Sequence, residues 1–236
     1  MSALEAVFFD LDGTLVDYPS GFAAVLEEVY SLAVAQGAAP SLFPIFRRAF
    51  WNATIGLWAA MHSGCVSGDQ ARLRRLQRAL TAIGLSRDGL AEEMLQAWDR
   101  LNVETLVLKE GAIQLLAELS TRTYLGLITD GYKTMQRAKI RRFELERYFQ
   151  SVFISEEAGI CKPFAGIFLK ALAAADVAVT DAAMVGDNAN ADIRGALGVG
   201  MRAIHLVSGH TPQATPYGAV RADSLGEVRE LLFTCL

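Results

Sequence analysis

Residues Val7 to Asp17 read VFFDLDGTLVD. An apolar run ends in two carboxylates, Asp10 and Asp12, which are two residues apart and are followed by a Gly-Thr turn. Open α/β sheets bind their ligands at the carboxyl ends of buried parallel strands. Two like charges this close are unfavourable unless a cation or a shared proton relieves the repulsion. The segment therefore predicts a ligand site, although Asp-Gly is also ordinary turn chemistry at the end of a strand.

The composition is typical of a globular protein. Of the 236 residues, 52% are hydrophobic and 20% are charged, which is enough to bury a substantial core. The net charge of −4 gives no electrostatic argument for nucleic-acid binding. No apolar stretch is long enough to span a bilayer, the N-terminus lacks a signal-peptide pattern, and the three cysteines lack metal-ligand spacing. We therefore expect a cytoplasmic protein with no nucleic-acid or membrane partner.

A helical block follows the first strand, which is predicted at Ala6–Phe9. Apolar residues recur at helical spacing in four stretches over residues 19–106, and no strand pattern interrupts them. Asp69 is the predicted N-cap of the third helix. A run of charges on a helix usually forms a solvated face, which is how we interpret four arginines of that helix. They stand at positions 72, 74, 75 and 78.

After residue 106 the pattern alternates between helices and short apolar strands. Strands are predicted at Tyr124–Ile128, Val152–Ile154, Ala182–Val185, Ala203–Val207 and Ala219–Arg221. This alternation predicts the α/β fold class, with a doubly wound parallel sheet that helices cover on both faces. Because the helical block interrupts the alternation after the first strand, we expect an α/β core, residues 1–18 and 107–236, with an inserted all-helical domain, residues 19–106.

Further polar residues follow the later strands. Thr129-Asp130-Gly131 ends the second long strand, and Gly186-Asp187-Asn188 ends a later one, with Asp192 five residues after Asp187. Lys162 lies in a loop after the strand Val152–Ile154. Each has an ordinary alternative, namely a helix cap, a turn or a surface lysine. Together they favour one site, because the carboxyl ends of parallel strands line one crevice.

This set of side chains suits phosphoryl transfer. Asp10 and Asp187 would offer the hard oxygen ligands that Mg²⁺ prefers. The hydroxyl of Thr129 and the backbone N–H groups after it would hold phosphate oxygens. Lys162 would spread phosphoryl charge, and Asp10 and Asp12 would serve as nucleophile and as general acid and base.

The order DLDGTLVD, TDG, CKP and GDNANAD resembles the haloacid dehalogenase superfamily, and its phosphatases in particular. The four motifs span nearly the whole chain. The helical block resembles the small helical cap of the subfamily whose cap lies between the first and second motifs. The resemblance implies a Rossmann-like core with this cap, and Mg²⁺ as the cofactor.

The resemblance also implies a role for each motif residue. Asp10 forms an aspartyl-phosphate, and Asp12 protonates the leaving alcohol and later deprotonates water. The side chains of Asp10 and Asp187 and the backbone carbonyl of Asp12 bind Mg²⁺, and Asp192 supports that site without binding the ion directly. The remaining implied roles are phosphate binding and charge stabilisation. Thr129, with the backbone of Asp130 and Gly131, binds the phosphoryl oxygens, and Lys162 stabilises the charged nucleophile and the transition state.

Two positions qualify the resemblance. Many relatives have Asn where this chain has Ala191, which bears on the geometry around Asp192. Asp12 argues against a dehalogenase, whose members lack this aspartate, because halide leaves without a proton and an alkoxide does not. A phosphomutase on the same scaffold and a non-catalytic binding protein remain as alternatives.

The substrate is expected to be a small phosphate ester, such as a sugar phosphate, a phosphoglycolate-like acid or a nucleotide. The sequence leaves open whether the protein is a monomer or a homodimer. Trp51 and Trp58 have an alternative role in the helix-bundle core, and His62 has one as a helix cap. Candidates for selecting the leaving group are Tyr18, Arg47, Arg48, Trp51 and His62.

Overall fold

The structure is a computed structural model that describes residues 4–17, 21–62, 66–207 and 214–234. The chain divides into two compact units, which we call the α/β unit, Met1–Asp17 with Val107–Leu236, and the helical unit, Tyr18–Leu106. The first boundary differs by one residue from the sequence prediction. That the helical unit acts as a cap stays a prediction.

The strands all belong to the α/β unit. In chain order they are β1 Ala6–Phe9, β2 Val16–Asp17, β3 Val107–Leu108, β4 Tyr124–Thr129, β5 Ser151–Ile154, β6 Ala182–Gly186, β7 Arg202–Leu206 and β8 Val220–Ala222.

The helices are distributed over both units. They are α1 Gly21–Ala35, α2 Phe43–His62, α3 Gly68–Ala82, α4 Leu90–Glu104, α5 Ala112–Leu119, α6 Lys133–Arg142, α7 Ser155–Ala158, α8 Ala165–Ala175, α9 Gly195–Val199 and α10 Leu225–Phe233. Among the described residues, no helix combines the length and the apolar character that crossing a membrane requires.

Six strands form one parallel sheet in the order β5-β4-β1-β6-β7-β8. The chain builds the sheet outward from β1 in one direction through β4 and β5, and then in the other through β6, β7 and β8. Open α/β sheets bind ligands at the carboxyl edge where the strand order reverses, which here is beside β1. The predicted doubly wound α/β class is confirmed.

Strand β1 is covered on both faces. Phe8 packs in a cluster with Ile167 and Phe168 of α8. Val7 and Phe9, which point to the opposite face, are also fully buried. A strand covered on both sides reads as a continuous apolar run, which is why AVFF was recognisable in the sequence.

Most predicted strands agree with the structure to within about one residue, the usual uncertainty of element ends. The short strands β2 and β3 were missed. They pair antiparallel, Val16 with Leu108 and Asp17 with Val107. Two residues are too few to show the alternation that marks a strand. Between β6 and β7 the chain forms a π-helical segment, Ala189–Arg194, which α9 follows.

The helical unit has an apolar core of its own. Phe46 and Phe50 of α2 are fully buried there, together with Leu76 of α3 and Met94 of α4. Trp51 is 37% exposed, so its interpretation as bundle core is wrong. Its ring meets Phe50 edge-on at the border of this core. The side chain of Trp58 lies outside the described residues.

The prediction that Asp69 caps α3 is also wrong. Ser67 is the N-cap, and its hydroxyl accepts a hydrogen bond from the backbone N–H of Gln70 at 3.2 Å. The Gln70 side chain accepts one in return from the Ser67 backbone at 3.3 Å. This reciprocal pair satisfies two backbone donors at once. Asp69 lies in the first turn and pairs with Arg72.

The interpretation of the four arginines as a solvated face is wrong for two of them. Arg72 is 2% and Arg75 is 4% exposed. Arg72 forms ion pairs with Asp69 and Asp99 of the same unit. The guanidinium carbon of Arg75 lies 5.1 Å from the centre of the Trp98 ring. Spacing along a helix does not reveal which of four arginines turns inward.

Candidate active site

Asp10 stands directly after β1, at the carboxyl edge of the sheet. Its backbone N–H donates to the carbonyl of Val185 at 2.9 Å, which continues the sheet by one residue. The side chain is buried, with Oδ1 2.6 Å from Nζ of Lys162 and Oδ2 3.4 Å from the Thr14 hydroxyl. Burial raises the pKa of Asp10, and the carboxylates of Asp192 and Asp187 raise it further against the opposing effect of Lys162.

Lys162 is buried rather than solvated. Its Nζ lies 2.6 Å from Oδ1 of Asp10 and 2.6 Å from Oδ1 of Asp192, and it donates to the carbonyl of Ile128 at 3.0 Å. Burial lowers the pKa of Lys162, but the two carboxylates outweigh burial and hold the pKa above its ordinary value. The site therefore keeps a charged ammonium beside the predicted nucleophile.

Three carboxylates meet at this edge. Asp10, Asp187 and Asp192 each offer an oxygen, and these atoms all lie within 4.8 Å of one another. Burial and, after it, the carboxylate of Asp192 raise the pKa of Asp187 to about 6. Asp10 and Asp192 are buried and Asp187 is half-buried, and the ammonium of Lys162 alone does not balance the three carboxylates. Hard oxygen donors are what Mg²⁺ and Ca²⁺ take. The residues present thus fit a divalent cation. Asp192, which was predicted only to support the metal site, contributes an oxygen to this cluster just as the predicted ligands Asp10 and Asp187 do.

Two glycines allow the carboxylates to come this close. A β-carbon on Gly13, whose φ is +86°, would lie 2.3 Å from Oδ2 of Asp187. A β-carbon on Gly186 would lie 2.4 Å from the side chain of Asp192. Contacts under about 3 Å force a shift, so a larger residue at either position would displace a carboxylate of the acidic cluster.

Thr129, Asp130 and Gly131 are held by neighbouring side chains. Thr129 is fully buried, and its hydroxyl accepts a hydrogen bond from Nε2 of Gln136 at 2.6 Å. The backbone N–H of Gly131 donates to the Ser155 hydroxyl at 3.0 Å, and the Asp130 carboxylate accepts from the backbone N–H of Lys162 at 3.1 Å. The Gly131 donor therefore has a protein partner in this structure.

Asp12 is also held by side chains of α6. Nζ of Lys139 lies 2.7 Å from both carboxylate oxygens of Asp12, and Nε2 of Gln136 donates to Oδ2 at 2.8 Å. The Asp12 side chain is 28% exposed. Asp12 and Asp10 thus lie near each other, but the carboxylate of Asp12 pairs with Lys139 and that of Asp10 pairs with Lys162.

A cavity of about 190 Å³ lies at the carboxyl edge of the sheet. It is lined by Asp10, Asp12, Asp130, Lys162, Asp187, Asn188, Ala191 and Asp192. Five of these are acidic and one, Lys162, is basic, so the lining has an excess of negative charge that a bound cation would offset for an anionic ligand. Thr129 and Gly131 are not among these lining residues.

Comparison with known proteins identifies the family of this chain. The family model of the haloacid dehalogenase-like hydrolases matches residues 4–200. This chain belongs to the haloacid dehalogenase-like hydrolases. The prediction of this superfamily is confirmed.

Two curated relatives are phosphatases. The chain is 32% identical to the glyceraldehyde 3-phosphate phosphatase of Pyrococcus furiosus, over 86% of this chain and 81% of that protein. It is 33% identical to the phosphoserine phosphatase of Thermus thermophilus, over 95% and 98% of the two chains. The prediction that this member of the family is a phosphatase-type hydrolase is confirmed.

A solved structure shares the fold over the whole chain. It is a 2-haloacid dehalogenase from Pseudomonas syringae pv. Tomato DC3000, with 29% identity, a TM-score of 0.72 and coverage of 98% of this chain and 99% of that one. The family therefore combines this fold with more than one reaction, and the site residues decide between them.

The candidates for substrate selection all belong to the helical unit. Tyr18 and the side chain of His62 lie outside the described residues. Arg47, Arg48 and Trp51 belong to α2 of the helical unit, where both arginines are exposed. Their role stays a prediction.

Sequence reasoning missed several residues of the site. Thr14 is fully buried between Asp10 and Asp187, and Oγ1 lies 3.4 Å from an oxygen of each. His205 is 1% exposed, and its Nε2 lies 3.1 Å from the backbone carbonyl of Asp187. Thr14 stands four residues after Asp10 in the same turn, and this position could have suggested its role. His205 lies within an apolar strand and has no comparable signal.

Gln136 and Lys139 were missed for a different reason. They belong to the basic helix KTMQRAKIRR, in which exposed and buried cations look alike. Their spacing of three residues places them on one helix face, and that face also carries the buried Met135 and Ile140. This shared face hints that a polar residue is buried there, but it does not single out Gln136 or Lys139 among the polar residues of the helix.

Proposed function

We propose that this protein is a Mg²⁺-dependent phosphatase that hydrolyses a small phosphorylated metabolite through an aspartyl-phosphate on Asp10. The observation that carries the proposal is the buried Asp10, paired with Lys162 and clustered with Asp187 and Asp192. A buried carboxylate at the end of the central strand, beside a cation and a divalent-cation site, is suited to attack phosphorus.

In the first step, an oxygen of Asp10 forms a bond to phosphorus while the bond between phosphorus and the alcohol oxygen breaks. Lys162 remains beside Asp10 and offsets the negative charge that gathers there. The proton that the departing alkoxide requires comes from the carboxyl of Asp12. The products of this step are the free alcohol and the phosphorylated Asp10.

In the second step, water attacks the phosphorus and the bond to Asp10 breaks. The Asp12 carboxylate accepts the proton of this water, so both catalytic groups return to their original states. Asp10 and Asp187, with the backbone carbonyl of Asp12, would hold Mg²⁺, and Asp192 would support them. When bound, the ion supplies positive charge to the phosphoryl oxygens.

The phosphoryl oxygens need donors as well as a cation. Thr129 and the backbone of Asp130 and Gly131 would supply them. In this structure Gln136 and Ser155 engage the Thr129 hydroxyl and the Gly131 N–H. The Thr129 hydroxyl accepts from Gln136 and can still donate its own hydrogen to phosphate. We infer that the Gly131 N–H changes partner when phosphate binds, which can be followed by the amide chemical shift of Gly131 on phosphate addition.

The substrate class also rests on the relatives. By their names, the two phosphatase relatives described above act on small phosphorylated compounds, glyceraldehyde 3-phosphate and phosphoserine. A phosphomutase would use the same Asp10 and Asp12 and would return the phosphoryl group to its substrate. A dehalogenase would not require the proton that Asp12 supplies.

The test is phosphate release from 4-nitrophenyl phosphate and from a panel of phosphorylated metabolites, with Mg²⁺ and with a chelator. We expect release that stops with the chelator and in Asp10→Asn. The control is Asp176→Asn, which changes an exposed aspartate at a left-handed backbone position that asparagine also tolerates. Isomerisation without phosphate release would favour the mutase, and binding without turnover a non-catalytic protein.

A further inference from the structure

Helix α6 brings two side chains onto Asp12, and neither has a role in the steps described above. Lys139 contacts both oxygens of Asp12 at 2.7 Å, and Gln136 donates to Oδ2 at 2.8 Å. Lys139 is 5% and Gln136 is 1% exposed, so both polar side chains are buried. Burying a lysine is costly unless the charge is paired, and here Asp12 pairs it.

We propose that Lys139 and Gln136 are positioning residues that hold the carboxyl of Asp12 in place for proton transfer to and from the reacting oxygens. This proposal rests on the proposed function, because it assumes that Asp12 is the general acid and base. We call the pair the α6 clamp.

The α6 clamp fixes both the orientation and the position of the Asp12 carboxylate. The bidentate contact from Lys139 orients the plane of the carboxylate, and Gln136 adds a second donor on Oδ2 only. Oδ1 is therefore the oxygen with fewer partners from α6, and it is the one suited to exchange a proton. A misplacement of about 1 Å in a catalytic group can cost about 10²-fold in rate.

The α6 clamp also links Asp12 to the predicted phosphate-binding segment. The same Nε2 of Gln136 lies 2.6 Å from the Thr129 hydroxyl and 3.3 Å from the Asp130 carbonyl. One amide nitrogen thus ties the proton-transfer group to the residues that would hold the phosphoryl oxygens. The distance between the leaving-group oxygen and Asp12 would then be set by α6.

The experiment compares kcat/KM of Lys139→Met on phenyl phosphate and on 4-nitrophenyl phosphate, because this parameter reports the first, alcohol-releasing step. Phenolate is the more basic leaving group and needs the proton more than 4-nitrophenolate does. We expect a loss of about 10-fold or more on phenyl phosphate and of less than about 3-fold on 4-nitrophenyl phosphate, a part of the 10²–10⁴ that acid–base catalysis supplies.

Two further variants separate positioning from a structural role. Adding Lys139→Met to Asp12→Asn should cause no further selective loss, since the clamp then has nothing to position. The control is Lys133→Met, an exposed lysine on the same helix, which should leave both rates unchanged. If Lys139→Met does not fold, Gln136→Leu should show the same selectivity between the two esters.

An equal loss on both esters, or an additive loss in the Asp12→Asn background, overturns the proposal and leaves Lys139 as a structural residue. Failure of the proposed function looks different. In that case the unmodified protein releases no phosphate from either ester, whatever residue 139 is.

Discussion

A β-carbon added to Gly13 would lie 2.3 Å from Oδ2 of Asp187. The turn that follows Asp10 and Asp12 therefore packs directly against the carboxylate of Asp187, the residue after β6. No other residue allows both the positive φ of +86° and this approach. The Gly-Thr turn after Asp12 is thus part of the acidic site and more than a connection out of the strand.

Gly13→Ala should disable the site by pushing Asp187 away from Asp10. We expect a loss of activity of about 10²-fold, as for other displacements of about 1 Å, together with weaker stabilisation by Mg²⁺. The matched control is Gly111→Ala, which has a similar positive φ of +79° but nothing within 4 Å of the added carbon. Phosphate release and thermal unfolding measure both effects. Equal activity in the two variants would show that the Gly13 contact does not matter.

Lys162→Met should lower both activity and stability. Removing the ammonium leaves Asp10 and Asp192 as buried charges without their partner, and breaking a buried pair costs about 3–5 kcal/mol. The loss in the free energy of unfolding should shrink as the pH falls, because burial raises the pKa of Asp10 and the protonated form needs no partner. Urea unfolding at several pH values measures this.

The control for this prediction is Lys170→Met, which changes an exposed lysine that donates to the Ala158 carbonyl. It should leave activity unchanged. If Lys162→Met were as stable as this control at neutral pH, the ion pairs of Lys162 would not stabilise the fold.

Asp187→Asn should stabilise the metal-free protein at high pH. The pKa of Asp187 is raised from 3.8 to about 6, first by burial and then by Asp192. A raised pKa means that ionised Asp187 destabilises the fold above pH 6, and that this penalty disappears as the pH falls through 6 toward 3.8. Two pKa units correspond to at most about 3 kcal/mol.

The measurement is the free energy of unfolding of both proteins in chelator, from pH 8 down to pH 4. The variant should be the more stable protein at pH 8, and the difference should vanish near pH 4. The variant should also lose the stabilisation that Mg²⁺ gives the unmodified protein. A variant that is less stable than the unmodified protein at pH 8 contradicts this account.

The sequence predicted the sheet largely because its four central strands are buried on both faces. AVFF and the later apolar runs have no polar alternation to confuse with a solvated strand or an amphipathic helix. The N-terminus of α3 was misplaced because Asp69 and Ser67 are both acceptable N-caps by type. The reciprocal bond with Gln70 decides between them, and only the structure reveals it.

The candidate site was predictable where side chains follow strand ends directly. Asp10, Thr129 and Asp187 are of this kind, and parallel strands bring their carboxyl ends to one edge. Lys139 and Arg75 were not predictable, since each belongs to a run of similar cations along a helix. Which of these turns inward depends on partners far away in the sequence, such as Asp12 for Lys139 and Trp98 for Arg75.

The most direct test of the central claim is to trap the phosphorylated Asp10. Asp12→Asn should be given 4-nitrophenyl phosphate carrying ³²P, quenched in acid during turnover and digested. Because the leaving group needs no proton but hydrolysis needs a base, phosphoenzyme should accumulate in this variant. We predict hydroxylamine-labile label on the peptide that contains Asp10, and none when Asp10→Asn is added. Label on another residue, or phosphate release by Asp10→Asn at the rate of the unmodified protein, would contradict the account.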